Sequence, residues 1–485
     1  MSLQEENEFQ HNMTNFYRIS TVPSGSPDEM EKRRELSVKK SEPVLVHPAD
    51  AAGGDAAGRG SYYYYLSNLD QNVAVVVKSV HLYRAREGAG GTGDAAGAVL
   101  KDALAKVLAY FHPYTGSLAV SPEGKLIVSC CTAGAGGRTG VPFVEAVADC
   151  DMDDLGDVSM AGPAVLGRLV HADTEAKNLL EIPLLAIQVT SFKCGGFVLG
   201  MSMNHCMADG MSVLAFLRAW AETARGLPLS TPPFLDRSLL RPRQPPRVEF
   251  AHPEFADIED ISGTADLYGR EAMSYRSFTF DAPTLALLKR SAREDDPAGA
   301  AAGFSTFAVL VALVWRARSQ ALRMAPAQKL KLLFAVDVRG RLDPPLPPGY
   351  FGNGMAFACC MCEAGELAAR SLSSAAGMVR DAALGLTDGY IRSAIDYFEV
   401  TRARPSLAGT LVVTTWTRLG FDMVDFGWGE AAQMGSAELP QKEVVLLLPN
   451  RGEGGGTVLV LGLPVSAMET FQELVKAQCY AETKV

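Results

Sequence analysis

The most regular pattern in the chain is a short apolar run that is followed by a helical repeat of apolar residues. The run covers residues 195–203, and its length and its bounding glycines are typical of a buried strand. Residues 211–224 repeat apolar side chains every three to four positions, which predicts a helix, and Asp209-Gly210 supplies the turn between the two elements. His205 therefore lies where the strand ends. Asp209 lies where its carboxylate can fold back onto the same turn.

The same rules assign the rest of the first half. Strands are expected at 73–83, where β-branched residues dominate, and at 184–190. A helix at 99–111 ends before Pro113, because proline cannot continue a helix. Residues 118–131 read as a hairpin around Pro122-Glu123-Gly124.

The second half alternates strands and helices in the same way, so the predicted fold class is α/β with mixed sheets. Ser305 and Thr306 stand at the cap or first turn of its longest helix. The expected helices are 282–293, 300–322, 365–383, 391–400 and 466–479, and the expected strands are 273–280, 330–337, 410–416, 443–448 and 456–463, the last two as an antiparallel pair.

The length of 485 residues is too great for one ordinary core and favours two domains. Residues 1–37 are polar and charged and are predicted to form a mobile tail. Prolines cluster without periodicity at 226–246, which we assign as a crossover linker. The domains are then 38–225, which carries His205, and 247–485.

Composition narrows the class of protein. Hydrophobic residues make up 48% of the chain and charged residues 21%, which is typical of a packed globular protein, and the net charge of -10 argues against nucleic acid as a partner. We expect no membrane span and no secretory signal, because apolar runs of the needed length are missing. The nine cysteines have no zinc-ligand spacing and are read as free thiols in the cytoplasm, with no metal.

His205 is the first candidate for chemistry. A neutral imidazole can take a proton from an alcohol near neutral pH, and few other side chains can. The spacing His-x-x-x-Asp arises often by chance, and a lone histidine at a strand end can equally be a core residue. The motif therefore needs support from elsewhere in the chain.

That support comes from three further blocks in a fixed order. Asp425-Phe426-Gly427-Trp428-Gly429 reads as a tight loop, with glycines for its backbone, aromatic anchors and a carboxylate to pin it. Residues 66–70 and 337–354 are the other two blocks. With residues 205–210, they resemble the plant BAHD acyl-CoA-dependent acyltransferases over residues 38–485. The resemblance implies two similar chloramphenicol-acetyltransferase-like domains with a channel between them.

The resemblance also implies roles for residues. His205 would be the general base, and Asp425 is grouped with it as an active-site residue, although its place in the loop suggests a structural role. Asp209 would pair with Arg339, or alternatively with Arg341, and support the site. An alternative with Cys206 as a covalent nucleophile is disfavoured, because neighbouring residues of a strand point to opposite faces. The other expected supports of the site are Gly210, Phe426, Gly427, Trp428 and Gly429.

Substrate contacts follow from the same likeness. We expect no permanently bound cofactor and acyl-CoA as co-substrate, with CoA contacts near Arg276, Ser305 and Thr306. Thr414 or Trp416 would stabilise the oxyanion. Ser67 and Phe357 would add contacts to the substrates.

The acceptor is indicated by residues 396–407, which resemble the subgroup that transfers hydroxycinnamoyl groups to ω-hydroxy fatty acids and fatty alcohols. The sequence therefore predicts feruloyl transfer from hydroxycinnamoyl-CoA to the hydroxyl of such a long-chain acceptor by a monomeric enzyme. Alternatives are a family member that uses a monolignol, shikimate, quinate or an amine, a non-catalytic accessory protein of fatty acid elongation, and a thioesterase.

Overall fold

A computed structural model describes residues 36–49, 61–85, 94–130, 140–158, 163–294, 303–438, 442–451 and 455–480. Residues 1–35, which make up most of the predicted tail, lie outside the described residues. The chain divides into two compact units. The first unit contains residues 1–239, 347–353 and 419–438, and the second contains 240–346, 354–418 and 439–485.

The first unit is built on a mixed sheet with the strand order β1-β7-β8-β9-β4-β14, and β2 adds to β7. A smaller antiparallel sheet has the order β3-β6-β5. The strands are β1 (Val38–Lys40), β2 (Val44–Val46), β3 (Tyr62–Tyr65), β4 (Val76–Tyr83), β5 (Ser117–Val120), β6 (Leu126–Cys130), β7 (Val141–Ala148), β8 (Leu185–Ser191), β9 (Phe197–Asn204) and β14 (Gln433–Ser436). The helices are α1 (Asn68–Gln71), α2 (Asp94–Leu108), α3 (Pro163–Leu166) and α4 (Gly210–Ala224).

Strand β9 is the centre of this unit. All eight of its residues are buried, and it pairs along its length with β4 on one side and β8 on the other. Helix α4 follows at once, with Trp220 buried and its indole N–H donating to the carbonyl of Leu100 in α2. The predicted strand, turn and helix around His205 are therefore confirmed.

Residues 419–438 belong to the first unit, although the sequence placed residues 425–429 in the second domain. The reason is backbone pairing over a long sequence distance. Strand β14 lies antiparallel to β4, with Met434 opposite His81, and the amide of Ala432 donates to the carbonyl of Leu82. Such pairing leaves no local pattern in the sequence.

The second unit has one six-stranded sheet of order β10-β16-β15-β13-β11-β12, in which β13 runs parallel to both β11 and β15. Its strands are β10 (Met273–Phe280), β11 (Lys329–Asp337), β12 (Met355–Glu363), β13 (Thr410–Thr415), β15 (Val444–Pro449) and β16 (Thr457–Pro464). Its helices are α5 (Thr264–Arg270), α6 (Ala282–Glu294), α7 (Thr306–Ala321), α8 (Ala364–Ala369), α9 (Leu372–Leu384), α10 (Asp388–Thr401) and α11 (Val465–Tyr480).

One local prediction in this unit was wrong, and one strand was missed. The single helix expected at 365–383 is two helices, because Ser371 takes an extended conformation and caps α9 by accepting from the amide of Ser374. Strand β12 was not predicted, since its alternating burial is hidden in a run of Met, Ala, Phe and Cys. The cap at Ser305 is confirmed, because its hydroxyl accepts from the amide of Ala308.

The end of the predicted 226–246 linker is held to α10. Arg243 is hydrogen-bonded to Asp396 through its backbone amide at 2.8 Å and through its guanidinium at 2.5 Å. The amide of Arg247 donates to the same carboxylate. Among the described residues, none of the helices is long and apolar enough to cross a membrane.

Candidate functional site

The turn after β9 fixes His205 through its backbone. Its amide donates to the carbonyl of Val75 at 2.7 Å, and its own carbonyl accepts from Ala208. Asp209 is the N-cap of α4, where its side chain accepts from the amide of Ser212 at 3.0 Å. The backbone that carries the imidazole is therefore held between strand β9 on one side and the capped helix α4 on the other.

A buried ion pair supports this turn through hydrogen bonds to its backbone. The carboxylate of Asp70 lies 3.1 Å from the guanidinium of Arg237, and both side chains are 0% exposed. Burial by itself lowers the pKa of Arg237, but Asp70 more than offsets this and holds that pKa above its ordinary value. The guanidinium of Arg237 therefore stays charged.

Each member of the ion pair then holds backbone of the site. Arg237 donates to the carbonyls of Cys206, at 3.2 Å, and Met207 in the turn, and to that of Phe351. Asp70 accepts from the backbone amide and the side-chain amide of Asn353, which in turn donates to the carbonyl of His205 at 2.9 Å. The three side chains form a scaffold around His205.

Sequence reasoning missed this scaffold. The block with Asp70 was noticed only as part of a family likeness, and Arg237 lies in a proline-rich segment without periodicity. An acidic residue in a short apolar-flanked turn such as 66–70 was an available signal that a buried cation would be needed. The position of that cation was not deducible.

The electrostatic setting of His205 favours the neutral imidazole. Burial lowers its pKa, against the opposing influence of Asp209, of its own backbone, of the Asn353 side chain and of Asp70. Nδ1 is buried without a hydrogen-bond partner among the described residues, whereas Nε2 is not among the buried, unpartnered atoms. A neutral ring with one open nitrogen is what a general base requires.

Cys206 is unsuited to nucleophilic attack. Its side chain is fully buried, and burial raises the pKa of its thiol far above the ordinary value. A thiol that remains protonated and inaccessible supports direct transfer without an acyl-cysteine intermediate.

The 425–429 loop is held by its own hydrogen bonds. Asp425 accepts from the amides of Gly427 at 2.7 Å and Gly429 at 2.8 Å, and those glycines have φ of +108° and +91°. Phe426 packs edge-on against Tyr83 and Trp220, and Trp428 packs against Phe197 of β9. This geometry supports a structural role for Asp425, with the loop bracing the start of β9.

Other predicted residues lie as follows. Ser67 is completely buried, and its hydroxyl donates to Asp70, so its contacts fit a structural role better than the predicted contact with substrate. A Cβ at Gly210 would approach the Leu419 side chain to 2.6 Å, which explains a glycine at this tight contact. Arg339, in the second unit, lies 3.0 Å from Asp337. Its pairing with Asp209 stays a prediction.

Three predicted substrate residues share one face of the second sheet. Phe357 in β12 pairs with Ala335 of β11. In β13, Val413 pairs with Phe334 of β11, so Thr414, one position later, lies on the same face as Ala335. Trp416 follows two positions later and packs beside a cluster of Leu446, Leu448 and Val458. Strand periodicity therefore directs these side chains to the same face.

The expected CoA contacts lie elsewhere in the second unit. Ser305 caps α7, Thr306 is the first residue of that helix, and Arg276 in β10 donates to the side chain of Gln472. Their contacts with CoA stay predictions. Among the described residues, none of the clusters of His, Cys, Asp and Glu could hold a metal ion.

A second imidazole lies in a buried polar cluster of the second unit. His252 contacts Glu254 through Nδ1 and Ser393 through Nε2, each at 2.9 Å. The order Ser-His-Glu is that of a hydrolase triad. Ser393 is fully buried, however, and its oxygen accepts from the amides of Glu249 and Phe250, so the hydroxyl is a backbone anchor and not a nucleophile.

Comparison with known proteins shows the family of the chain. The profile of the Transferase family matches residues 61–478. Omega-hydroxypalmitate O-feruloyl transferase of Arabidopsis thaliana is 49% identical over 90% of this chain and 92% of that protein. Fatty alcohol:caffeoyl-CoA acyltransferase of the same plant is 46% identical over 91% of this chain and 98% of that protein.

Among solved structures, vinorine synthase has a TM-score of 0.70 at 23% identity and covers 91% of this chain and 98% of its own. That likeness supports the mixed α/β fold. The family profile includes His205 and the blocks at residues 66–70 and 425–429. The two relatives match about nine-tenths of the chain. The protein thus belongs to the Transferase family, the BAHD acyltransferases, and is an acyl-CoA-dependent O-acyltransferase with acyl-CoA as its co-substrate.

Proposed function

We propose that this enzyme transfers a hydroxycinnamoyl group, feruloyl by preference, from CoA to the hydroxyl of a long-chain ω-hydroxy fatty acid or fatty alcohol. The observation that carries the proposal is the identity of 49% and 46%, over nine-tenths of the chain, to relatives whose names specify such acceptors. We infer the donor and acceptor classes from these two proteins together.

The second unit has a largely buried apolar sheet face of fitting chemistry. The sheet face with Phe357 and Trp416 continues over Leu446 and Val460, where apolar side chains dominate. An aliphatic chain gains about 0.8 kcal/mol for each CH₂ it buries, so such a face suits a long-chain acceptor better than a polyhydroxy acid.

The proposed chemistry is direct transfer. Nε2 of His205 removes the proton from the acceptor hydroxyl as the oxygen attacks the thioester carbonyl. The tetrahedral intermediate collapses, the C–S bond breaks, and the proton passes from His205 to the sulfur of CoA. Thr414 or Trp416 would donate to the oxyanion, and the product is an ester plus free CoA. Asp209, paired with Arg339, would hold the turn without touching the reacting atoms.

The test uses the purified full-length protein with feruloyl-CoA or caffeoyl-CoA. Thiol release is followed without acceptor and with 16-hydroxypalmitate, 1-hexadecanol, coniferyl alcohol, shikimate or spermidine. We expect release with the two long-chain acceptors. Release only with shikimate, coniferyl alcohol or spermidine would contradict the acceptor class, and release to water alone would indicate a thioesterase.

Folded protein that discharges neither CoA ester would favour the accessory role. We also propose that the enzyme acts in the cytoplasm as a monomer. The free cysteines among the described residues support a reducing compartment. Light scattering at micromolar concentration would check the monomer. Fluorescence from a tagged chain would check the compartment.

A further inference from the structure

We propose that Asn353 is a positioning residue that fixes the tautomer of His205. The inference rests on the proposed role of His205 as general base. In this arrangement the Asn353 carbonyl oxygen receives the Nδ1–H of the imidazole, so that Nε2 carries the lone pair that removes the acceptor proton. Asp70 and Arg237 act through Asn353 by holding its amide in one orientation.

The orientation of the Asn353 amide is set by its donors. Asn353 is completely buried, and its Nδ2 donates to Asp70 at 2.8 Å and to the carbonyl of His205 at 2.9 Å. Turning the amide over would place its oxygen against a carboxylate and a carbonyl, two acceptors that it cannot satisfy. The oxygen is therefore directed away from both.

Two unsatisfied atoms then complement each other. Among the described residues, Oδ1 of Asn353 and Nδ1 of His205 are both buried without a hydrogen-bond partner. A buried polar atom without a partner costs about 1–3 kcal/mol, so a neutral ring gains by placing its proton on Nδ1 beside this oxygen. The same contact stabilises the imidazolium once Nε2 has taken a proton.

The charges around the ring support this assignment. Asp209 lies on the same turn, Asp70 on α1, and Arg237 beside Asp70, and together with the Asn353 side chain the two carboxylates raise the pKa of His205 against the effect of burial. Loss of the Asn353 oxygen is expected to lower that pKa further. The acid limb of kcat/KM would then move to lower pH.

The experiment compares Asn353→Ala with Gln71→Ala. Gln71 is also a buried amide of the first unit, and it holds the backbone of Leu126 through two hydrogen bonds of 2.8 Å. Asn353→Ala is expected to reduce kcat roughly tenfold or more, because a positioned base contributes about 10²- to 10⁴-fold. It should also shift the acid limb downward. Gln71→Ala should lower the melting temperature without moving the limb.

A second measurement does not depend on enzymatic activity. In wild-type protein labelled with ¹⁵N-histidine, the signals of His205, assigned by their loss in His205→Gln, should show Nδ1 protonated and Nε2 unprotonated. A ring protonated on Nε2 would overturn the proposal. So would an unmoved limb in folded Asn353→Ala. If the acyltransferase assays fail but the Nδ1–H tautomer is found, the proposed function is wrong and the positioning stands.

Discussion

His205 and His252 both lie close to carboxylates, yet their surroundings differ in one respect. His252 has a partner on each ring nitrogen, Glu254 on one side and Ser393 on the other. His205 has a buried Nδ1 without a hydrogen-bond partner among the described residues, and the residue is partly exposed. A fully paired ring cannot accept a substrate proton without breaking a bond of the fold. A ring nitrogen without a hydrogen-bond partner in the described part of the chain therefore distinguishes His205, the proposed base, from His252, whose ring is held by the fold.

The largest expected effect comes from replacing each ring in turn. His205→Gln should reduce kcat by about 10²- to 10⁴-fold with the fold intact, because the proton acceptor is lost. His252→Gln should keep kcat within a few-fold while lowering stability. Acyl transfer to 16-hydroxypalmitate and thermal unfolding of both variants would be measured together. Equal activity losses would erase the distinction between the two histidines.

Breaking the buried pair of Asp70 and Arg237 near His205 should lower the free energy of unfolding strongly. Asp70→Ala leaves Arg237 buried without its counter-ion, and we expect a loss of about 3–5 kcal/mol in the free energy of unfolding. Asp102→Ala removes a carboxylate from an exposed pair with Lys106 and should cost about 0–1 kcal/mol. Urea titration measures both. Similar values for the two would show that the buried pair is dispensable.

The contact of Ser393 with His252 should contribute less to the free energy of unfolding than the pair of Asp70 and Arg237. Ser393→Ala removes the acceptor of two backbone amides and one partner of the ring, and we expect a loss of about 1–3 kcal/mol in the free energy of unfolding. Turnover should be unchanged. Thr401→Ala, at an exposed position of the same helix, should stay within about 0.5 kcal/mol. A fall in kcat for Ser393→Ala would give this cluster a functional role.

The smallest expected effect concerns how activity and stability change with pH. Burial lowers the pKa of His205, so the acid limb of kcat/KM should have its midpoint below the ordinary value of 6.5. The sign for stability is the same, since a lowered folded-state pKa means that stability is lost as pH falls. Burial also lowers the pKa of His81 to about 4, so stability should decline from pH 6.5 toward that value. A midpoint above 6.5 would contradict the assignment.

Local patterns predicted most of the fold. The strand, turn and helix around His205 follow from residue spacing within about thirty positions, as do the hairpin at 118–131 and the pair β15 and β16. The wrong single helix at 365–383 shows the limit, because a serine cap outweighed a continuous periodic pattern. The family likeness supplied the general base.

Local sequence was sufficient for the strand and helix around His205, for the Ser305 cap and for the place of His205 at a strand end, because these depend on neighbours within a few residues. Only the tertiary structure decided which side chains surround that imidazole. Asn353 lies 283 residues from Asp70, and Arg237 lies 30 residues from Met207 in a segment without regular pattern. Such contacts depend on where whole strands and turns pack. The need to pair every buried charge and amide then selects the partners.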